Sequence, residues 1–377
     1  MKINYYSTLI SEDLLKKLYK DKKPGMQVQV FNRLMVDGLL KNDVEVTCYS
    51  SIPASKEIIN KTFIRINDES FYKYTPIVNI PIIKDLIILF DTYLKTKKDL
   101  KNYKNLVCVC DILSVANSLG AVLACKSLKR QCIGIVTDVP KLIETNKLYL
   151  YLTDQVIKNC TDYIFLTKPM NSLLNKKDKP YRIIEGVSKE PELNVNTIRE
   201  KTFVYAGSID EFNGTNVLVE AFKEIDTDYE LHIYGVGKYE KELIEITKKH
   251  KNIKFFGVVS HNEIQKVIKK TSFLVNPRNT ENEMVKYSFP SKTMENLASG
   301  TPFITTKLPC FTEEYFPYLN LFESDDIKGI KKGIENVLNQ DYDKLLDKAK
   351  KGQLFMAEHK NNKAQTKKII SLIKGRK

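Results

Sequence analysis

Short apolar runs alternate along the chain with stretches of three-to-four-residue periodicity. In the first half the runs predict strands at 2–6, 44–49, 106–110, 132–137, 163–166 and 181–185. Helical periodicity falls between them, notably at 26–40, 114–127 and 148–159. A polar stretch, "SKEPELNVNTIREK" at 188–201, interrupts the series, which then restarts. Strands are predicted at 202–206, 230–234, 253–256, 272–275 and 302–305, with helices at 215–223, 238–249, 262–269, 291–297 and 327–339. Strand–helix alternation implies parallel sheets covered on both faces. Two series with a polar joint predict an α/β chain of two Rossmann-like, doubly wound domains facing a cleft, residues 1–190 and 200–352. Ligands in such sheets bind beyond the carboxyl ends of the strands.

One short segment carries a chemical contradiction. "SFPSKTMENLASGTPFITT", 288–306, starts a helix after Pro290, places Lys292 in its first turn and stops at Gly300. The unpaired N–H groups of a helix start, here around Ser291 and Lys292, suit phosphate. Glu295 is unfavourable there unless it binds another part of the same molecule, and a nucleotide's ribose hydroxyls are such a part.

Glycines follow several second-half strands: Gly207 with Ser208, Gly235 with Gly237, and Gly257. Glycine lets a ligand approach the backbone or only lets the chain turn. Three at one sheet edge favour a shared ligand. Glu240 stands where a dinucleotide fingerprint needs its third glycine, so a nicotinamide or flavin cofactor does not fit. Arg278 follows a strand and a turn proline. It either grips phosphate through its planar fork or makes a surface ion pair. In the first half, Gly25 precedes a long helix, and Asp138 follows a strand in "IGIVTDVP". Asp138 orients a sugar hydroxyl, acts as a base or caps the next helix. Of two acidic pairs, Asp226/Asp228 lies between a helix and the next strand, at the edge opposite the predicted carboxyl edge, and Asp341/Asp343 lies in a polar connection; no metal site is expected at either.

Composition narrows the compartment and the partners. No run of the 377 residues approaches the roughly 18 apolar positions of a membrane span. The first residues lack a signal peptide's apolar stretch, so a cytoplasmic protein is expected. The seven cysteines form no C-x-x-C pair, and free buried thiols are expected. Net charge is +14, and positions 351–377 hold eight Lys/Arg against the single acid Glu358. Such a balance marks an anionic partner or a solvated helix face. No nucleic-acid-binding motif is present, which leaves a phosphorylated substrate or an anionic membrane surface. Residues 76–102 combine apolar positions with Lys95, Lys97, Lys98 and Lys101. They read as a membrane-interface helix or as a buried helix with a solvated end.

The motifs "YAGSIDEFNGTNVLVEAF", "LHIYGVGKYEKEL", "IKFFGVVSHNEI" and "FPSKTMENLASGTPFI" occur in an order and spacing that resemble retaining glycosyltransferases of the family-4 type. "TDVP", "LTKPMN" and "IIEGVS" resemble the polysaccharide-building branch. The resemblance implies the GT-B fold, a nucleotide-sugar donor, no metal or other cofactor, and a glycan or lipid-linked glycan acceptor. It implies that Glu295 holds the ribose, that amides before it hold the diphosphate, and that a helix in 353–377 packs on the first domain. Arg278 and Lys292 would supply the positive charge for transfer. The chain departs from the pattern at Tyr287, where a first glutamate is usual. Ser208 and Asn213 replace a basic pair, and Thr137 replaces a histidine. These departures leave open a binding or scaffold protein with weakened catalysis. A metal-dependent transferase using Asp226 and Asp228, and a sugar epimerase, are further alternatives.

Overall fold

A computed structural model describes residues 1–19, 26–53, 62–191 and 199–375. The chain forms two compact units, Met1–Val187 with Asn362–Lys377, and Ser188–Asn361.

The first unit begins with β1 (Lys2–Ser7), α1 (Glu12–Tyr19), α2 (Met26–Leu40) and β2 (Glu45–Ser50). Short strands β3 (Phe63–Ile64), β4 (Tyr72–Tyr74) and β5 (Ile77–Val78) lead into α3 (Ile83–Asn102). Next come β6 (Leu106–Asp111), α4 (Val115–Ser127), β7 (Cys132–Val136), α5 (Pro140–Ile143) and α6 (Lys147–Asn159). The unit's sheet closes with β8 (Asp162–Phe165), α7 (Lys168–Leu174) and β9 (Tyr181–Ile183). Seven strands pair in the order β4-β2-β1-β6-β7-β8-β9. All are parallel, with Ile3 opposite Val46 on one side and Val107 on the other. A parallel sheet is buried on both faces, so its central strands are continuous apolar runs. Accordingly, all six residues of β6, "LVCVCD", are buried.

The second unit repeats the plan. Its elements are β10 (Glu200–Ala206), α8 (Thr215–Lys223), β11 (Glu230–Tyr234), α9 (Glu240–Lys249) and β12 (Ile253–Gly257). Then follow α10 (His261–Lys270), β13 (Thr271–Asn276), α11 (Met284–Tyr287), α12 (Ser291–Ala298) and β14 (Phe303–Thr305). The last are β15 (Asn320–Leu321), α13 (Ile327–Leu338) and α14 (Tyr342–Phe355). The strand order is β12-β11-β10-β13-β14-β15, again all parallel. In both sheets the chain winds outward from a central strand, first one way and then the other. The reversal lies between β1 and β6 in one unit and between β10 and β13 in the other.

A π-helical turn, Met356–Lys360, leads to α15 (Asn362–Lys374), which belongs to the first unit. Ile369, Leu372 and Ile373 of α15 join the core formed by Ile3, Met35, Leu39 and Ile133. Gln365 Nε2 of α15 donates to Gly186 O at 2.9 Å.

The structure adds elements that periodicity does not reveal. The strands of two or three residues are too short to show alternation. The amphipathic segment of α1 is only eight residues long. In α14, Leu345, Ala349, Gly352 and Phe355 form the buried stripe among many charges. Asp341 and Asp343, expected in a polar connection, start this helix, and Asp341 Oδ1 accepts from Asp343 N at 3.0 Å. The segment at 76–102 holds a twenty-residue helix with one buried face, Ile88, Thr92, Thr96 and Leu100. All seven cysteines are buried and free.

Helices α2 and α15 cross at Gly38. A Cβ placed there would lie 2.2 Å from Asn362 O and 2.8 Å from the Thr366 hydroxyl. Gly38→Ala gains about 1 kcal/mol of helix propensity but forces the helices apart. The expected net result is a loss of roughly 1–2 kcal/mol, read as a lower urea midpoint at unchanged slope.

Candidate functional site

Arg278 is a charged group that the second unit buries at the carboxyl edge of its sheet. It follows β13 at the point where the winding direction reverses, two residues beyond Asn276. The residue is only 9% exposed. Its guanidinium lies over the Phe212 ring, 4.4 Å from the centroid, and its NH2 donates to Ser288 Oγ at 3.1 Å. The buried Nε has no hydrogen-bond partner. Burial pulls the Arg278 pKa below its ordinary value, with Cys310, Tyr205 and Asp210 opposing. The group nevertheless remains cationic, since arginine is not deprotonated in proteins. Asp210 does not neutralise it through an ion pair. Its Oδ1 accepts instead from the Asn213 backbone N–H at 2.9 Å and from the Asn213 amide at 2.7 Å. The surface ion pair open to Arg278 in the sequence is therefore absent among the described residues.

Ser288 links this cation to the start of α12. Pro290 is the N-cap residue, and its carbonyl accepts from Thr293 N at 3.0 Å. No side chain caps the helix, so the Ser291 and Lys292 amides keep the partial positive charge of a helix start. Phe289 anchors the entry by packing on Phe311 and Tyr315, with centroids 5.6 and 5.2 Å away. Lys292 Nζ donates to Glu295 Oε2 at 3.1 Å, and both side chains are about two-fifths exposed. An exposed pair of this kind contributes well under about 1 kcal/mol, so both groups are free to exchange partners.

The glycine-bearing loops order this edge backbone to backbone. Gly207 N donates to Tyr234 O at 3.0 Å, and Ile209 N to Val236 O at 3.1 Å. A Cβ on Gly235, whose φ is +137°, would lie 1.8 Å from Gly207 O. Gly235 is thus required by the loop of Gly207 and Ser208. Gly257 ends β12, two strands from β10 and so about 10 Å from the reversal. Its φ of +65° explains the glycine, and open space surrounds it. Arg278 is joined through Ser288 to the segment that holds Pro290, Ser291, Lys292 and Glu295, Gly207 and Ser208 lead from the adjacent strand β10, and Gly235 supports them. Gly257 stands apart, and Gly25 lies outside the described residues. Asp226 and Asp228 precede β11, at the amino edge, and Asp228 pairs with Lys201. Among the described residues no cluster of three or more His, Cys, Asp or Glu is disposed to hold a metal ion.

In the first unit, Asp138 follows β7 at the carboxyl edge, half-buried. Burial raises its pKa, opposed by a hydrogen bond from Thr137. The residue that sequence reasoning passed over is Asp111, at the end of β6 and 4% exposed. Its signal was an acid directly terminating an apolar strand. Tyr5 OH donates to Asn32 Oδ1 at 2.6 Å, and Asn32 Nδ2 donates to Asp111 Oδ2 at 3.1 Å. Leu113 N donates to the other oxygen at 3.1 Å. Burial pushes the Asp111 carboxyl up to about 6, helped by the charge of Asp138 and opposed by the Asn32 and Leu113 hydrogen bonds. The edge of this sheet is acidic where that of the other is cationic.

Residues 188–353 match the family model described as "Glycosyl transferases group 1". The matched span covers nearly all of the second unit. An uncharacterized glycosyltransferase of Methanocaldococcus jannaschii is 28% identical over 171 residues, which cover 44% of this chain and 46% of that protein. The chain therefore aligns with about half the length of that relative. Among solved structures, the apo form of the lipopolysaccharide outer core galactosyltransferase WaaB superposes with a TM-score of 0.66, at 13% identity over 100% of both chains. HepE of Anabaena, solved in complex with UDP, gives 0.67 at 11% identity, also over 100% of both. Sucrose-phosphate synthase from Thermosynechococcus elongatus gives 0.63 at 14% identity, over 100% of this chain and 99% of that one. The fold is GT-B, two Rossmann-like sheets in one chain.

The raised Asp111 pKa sets a pH dependence. The folded carboxyl holds its proton to a higher pH than the unfolded one, whose ordinary value is 3.8. Stability therefore falls as pH rises from about 4 to about 6, by on the order of 2–3 kcal/mol. Asp111→Asn is expected to flatten that slope, measured as urea midpoints across the window.

Proposed function

We propose that the protein is a retaining, metal-independent glycosyltransferase. It moves a sugar from a nucleotide-sugar to a growing glycan, carried on a lipid, in cell-surface polysaccharide synthesis. It works in the cytoplasm, at the inner face of the cell membrane. The observation that carries the donor reading is Arg278, a buried guanidinium with no carboxylate partner among the described residues, beside an uncapped helix start. A diphosphate supplies the missing negative charge, and the UDP in the HepE structure supports a nucleoside diphosphate as that anion.

The chemistry follows from where charge develops. As the bond between the anomeric carbon and the diphosphate oxygen lengthens, negative charge grows on the leaving group. Arg278, Lys292 and the α12 amides meet that charge, and groups that bind it best in the transition state lower the barrier. Glu295 leaves Lys292 and accepts from the ribose hydroxyls, while Lys292 turns to phosphate. The Gly207–Ser208 loop, held by Gly235, lines the approach. Retention of stereochemistry rests on the family resemblance. In the first unit, Asp138 accepts from an acceptor hydroxyl.

A second reading, a glycan-assembly protein with weakened catalysis, draws on the turn at 208–213. That turn carries no basic side chain, and the Asn213 amide is tied to Asp210. Tyr287, where the family's first glutamate is usual, is half-buried on α11. Turnover of a nucleotide-sugar, by transfer or hydrolysis, excludes this reading.

Glu295→Ala is expected to weaken UDP binding by roughly tenfold or more, measured by calorimetry, at an unchanged melting temperature. Unchanged affinity overturns the ribose role. Transfer activity is expected to persist undiminished in EDTA, and its loss there overturns metal independence.

A further inference from the structure

Helix α3 carries an apolar ridge that no described part of the chain covers. Ile82, Ile83, Leu86, Phe90 and Leu94 are 70, 46, 49, 60 and 63% exposed. Leu86, Phe90 and Leu94 are four apart and so stand on one side of the helix. The opposite side packs on α4, where a Cβ on Gly120 would lie 2.5 Å from Leu89 O. Ile82, the residue before the helix, has a φ of +67°. A β-branched residue is rarely held in that region. It sits there with its side chain in solvent, at the tip of the ridge.

The ridge continues into positive charge. Lys97, Lys98 and Lys101 extend its line through the last turns of α3, with Lys98 and Lys101 exposed. The acids of the helix do not oppose them. Asp91 pairs with Lys95 at 2.7 Å, and Asp99 accepts from Asn4 at 2.9 Å and from Tyr49 at 2.5 Å. Asp85 lies in the first turn, at the far end. The basic C-terminal segment is a weaker candidate than its composition indicates. Lys351 pairs with Asp347, Lys360 is buried against Glu314, and Lys368 donates to Ile183 O at 2.9 Å.

We propose that the α3 ridge is the face by which the protein lies on an anionic lipid bilayer. The aliphatic and phenyl groups enter the boundary between headgroups and acyl chains, and the lysines reach the headgroup phosphates. Charge complementarity selects this occupant: the end of the ridge is cationic, and the chain as a whole is at +14. The purpose of the contact rests on the proposed lipid-linked acceptor. The contact itself does not depend on the donor site.

The chain has no tryptophan, so Phe90→Trp installs a single reporter. It is mixed at low salt with vesicles of phosphatidylglycerol and phosphatidylcholine, or of phosphatidylcholine alone, since salt screens such attraction. Expected with the anionic vesicles only are a blue-shifted emission and quenching by brominated acyl chains. Phe90→Glu, at an exposed position, is expected to cut co-sedimentation by about tenfold or more, and Lys97→Gln with Lys98→Gln and Lys101→Gln by a similar factor. Calorimetry with UDP is run on the same variants. Vesicle binding without UDP binding sinks the donor reading alone, and UDP binding without vesicle binding sinks the ridge proposal alone. Co-sedimentation with unchanged emission assigns the contact to another surface. A blue shift without vesicles that grows with protein concentration assigns the ridge to a second copy of the chain. Either result overturns the proposal.

Discussion

A guanidinium that is nine-tenths buried and makes no ion pair among the described residues is costly unless something anionic joins it. That constraint governs the second unit. Arg278 is held by a ring below it and a hydroxyl beside it, neither of which carries charge. The groups around it are arranged to add positive potential, with uncapped amides at Ser291 and Lys292 and an ammonium one turn from Glu295. The protein has in effect built a deficit of negative charge at a reversal of strand winding, where a doubly wound sheet leaves room for a ligand.

The two units share one topology and differ in electrostatics. At the reversal in the first sheet the fixed charge is Asp111, tied through Asn32 to Tyr5. At the reversal in the second sheet it is Arg278. Sheet order therefore provides the place, and a single residue type at the end of one strand sets the sign of what can bind there. Such a division of labour lets one fold host different chemistries by changes at strand ends, without changes in the core.

Much of this was legible in the sequence because it is periodic. Strand–helix alternation and the polar joint at 188–201 gave the two doubly wound sheets, since each buried strand must be apolar along its length. The helix start at Pro290 and the positions of Arg278 and Glu295 were readable from strand ends and a terminating glycine. Other features depend on contacts between segments distant in sequence. Gly235 looked like a ligand contact, but it answers a backbone oxygen of Gly207 in a neighbouring loop. The α14 stripe was masked by seven charged or polar neighbours in its own sequence, and only packing against α12 and α13 identifies Leu345 and Phe355 as core. Asp111 was visible as the acid that ends an apolar strand, but its burial and its link through Asn32 to Tyr5 depend on contacts across the fold.

The crossing of α2 and α15 also bears on how the chain comes into being. The core of the first unit takes Ile369, Leu372 and Ile373 from the far end of the polypeptide. During synthesis, residues 1–187 leave the ribosome with an apolar flank of α2 still bare, and it stays bare while the entire second unit is translated. The second unit, contiguous in sequence, can fold first although it is made later. A nascent chain of this architecture thus carries an uncovered apolar patch until α15 has been made.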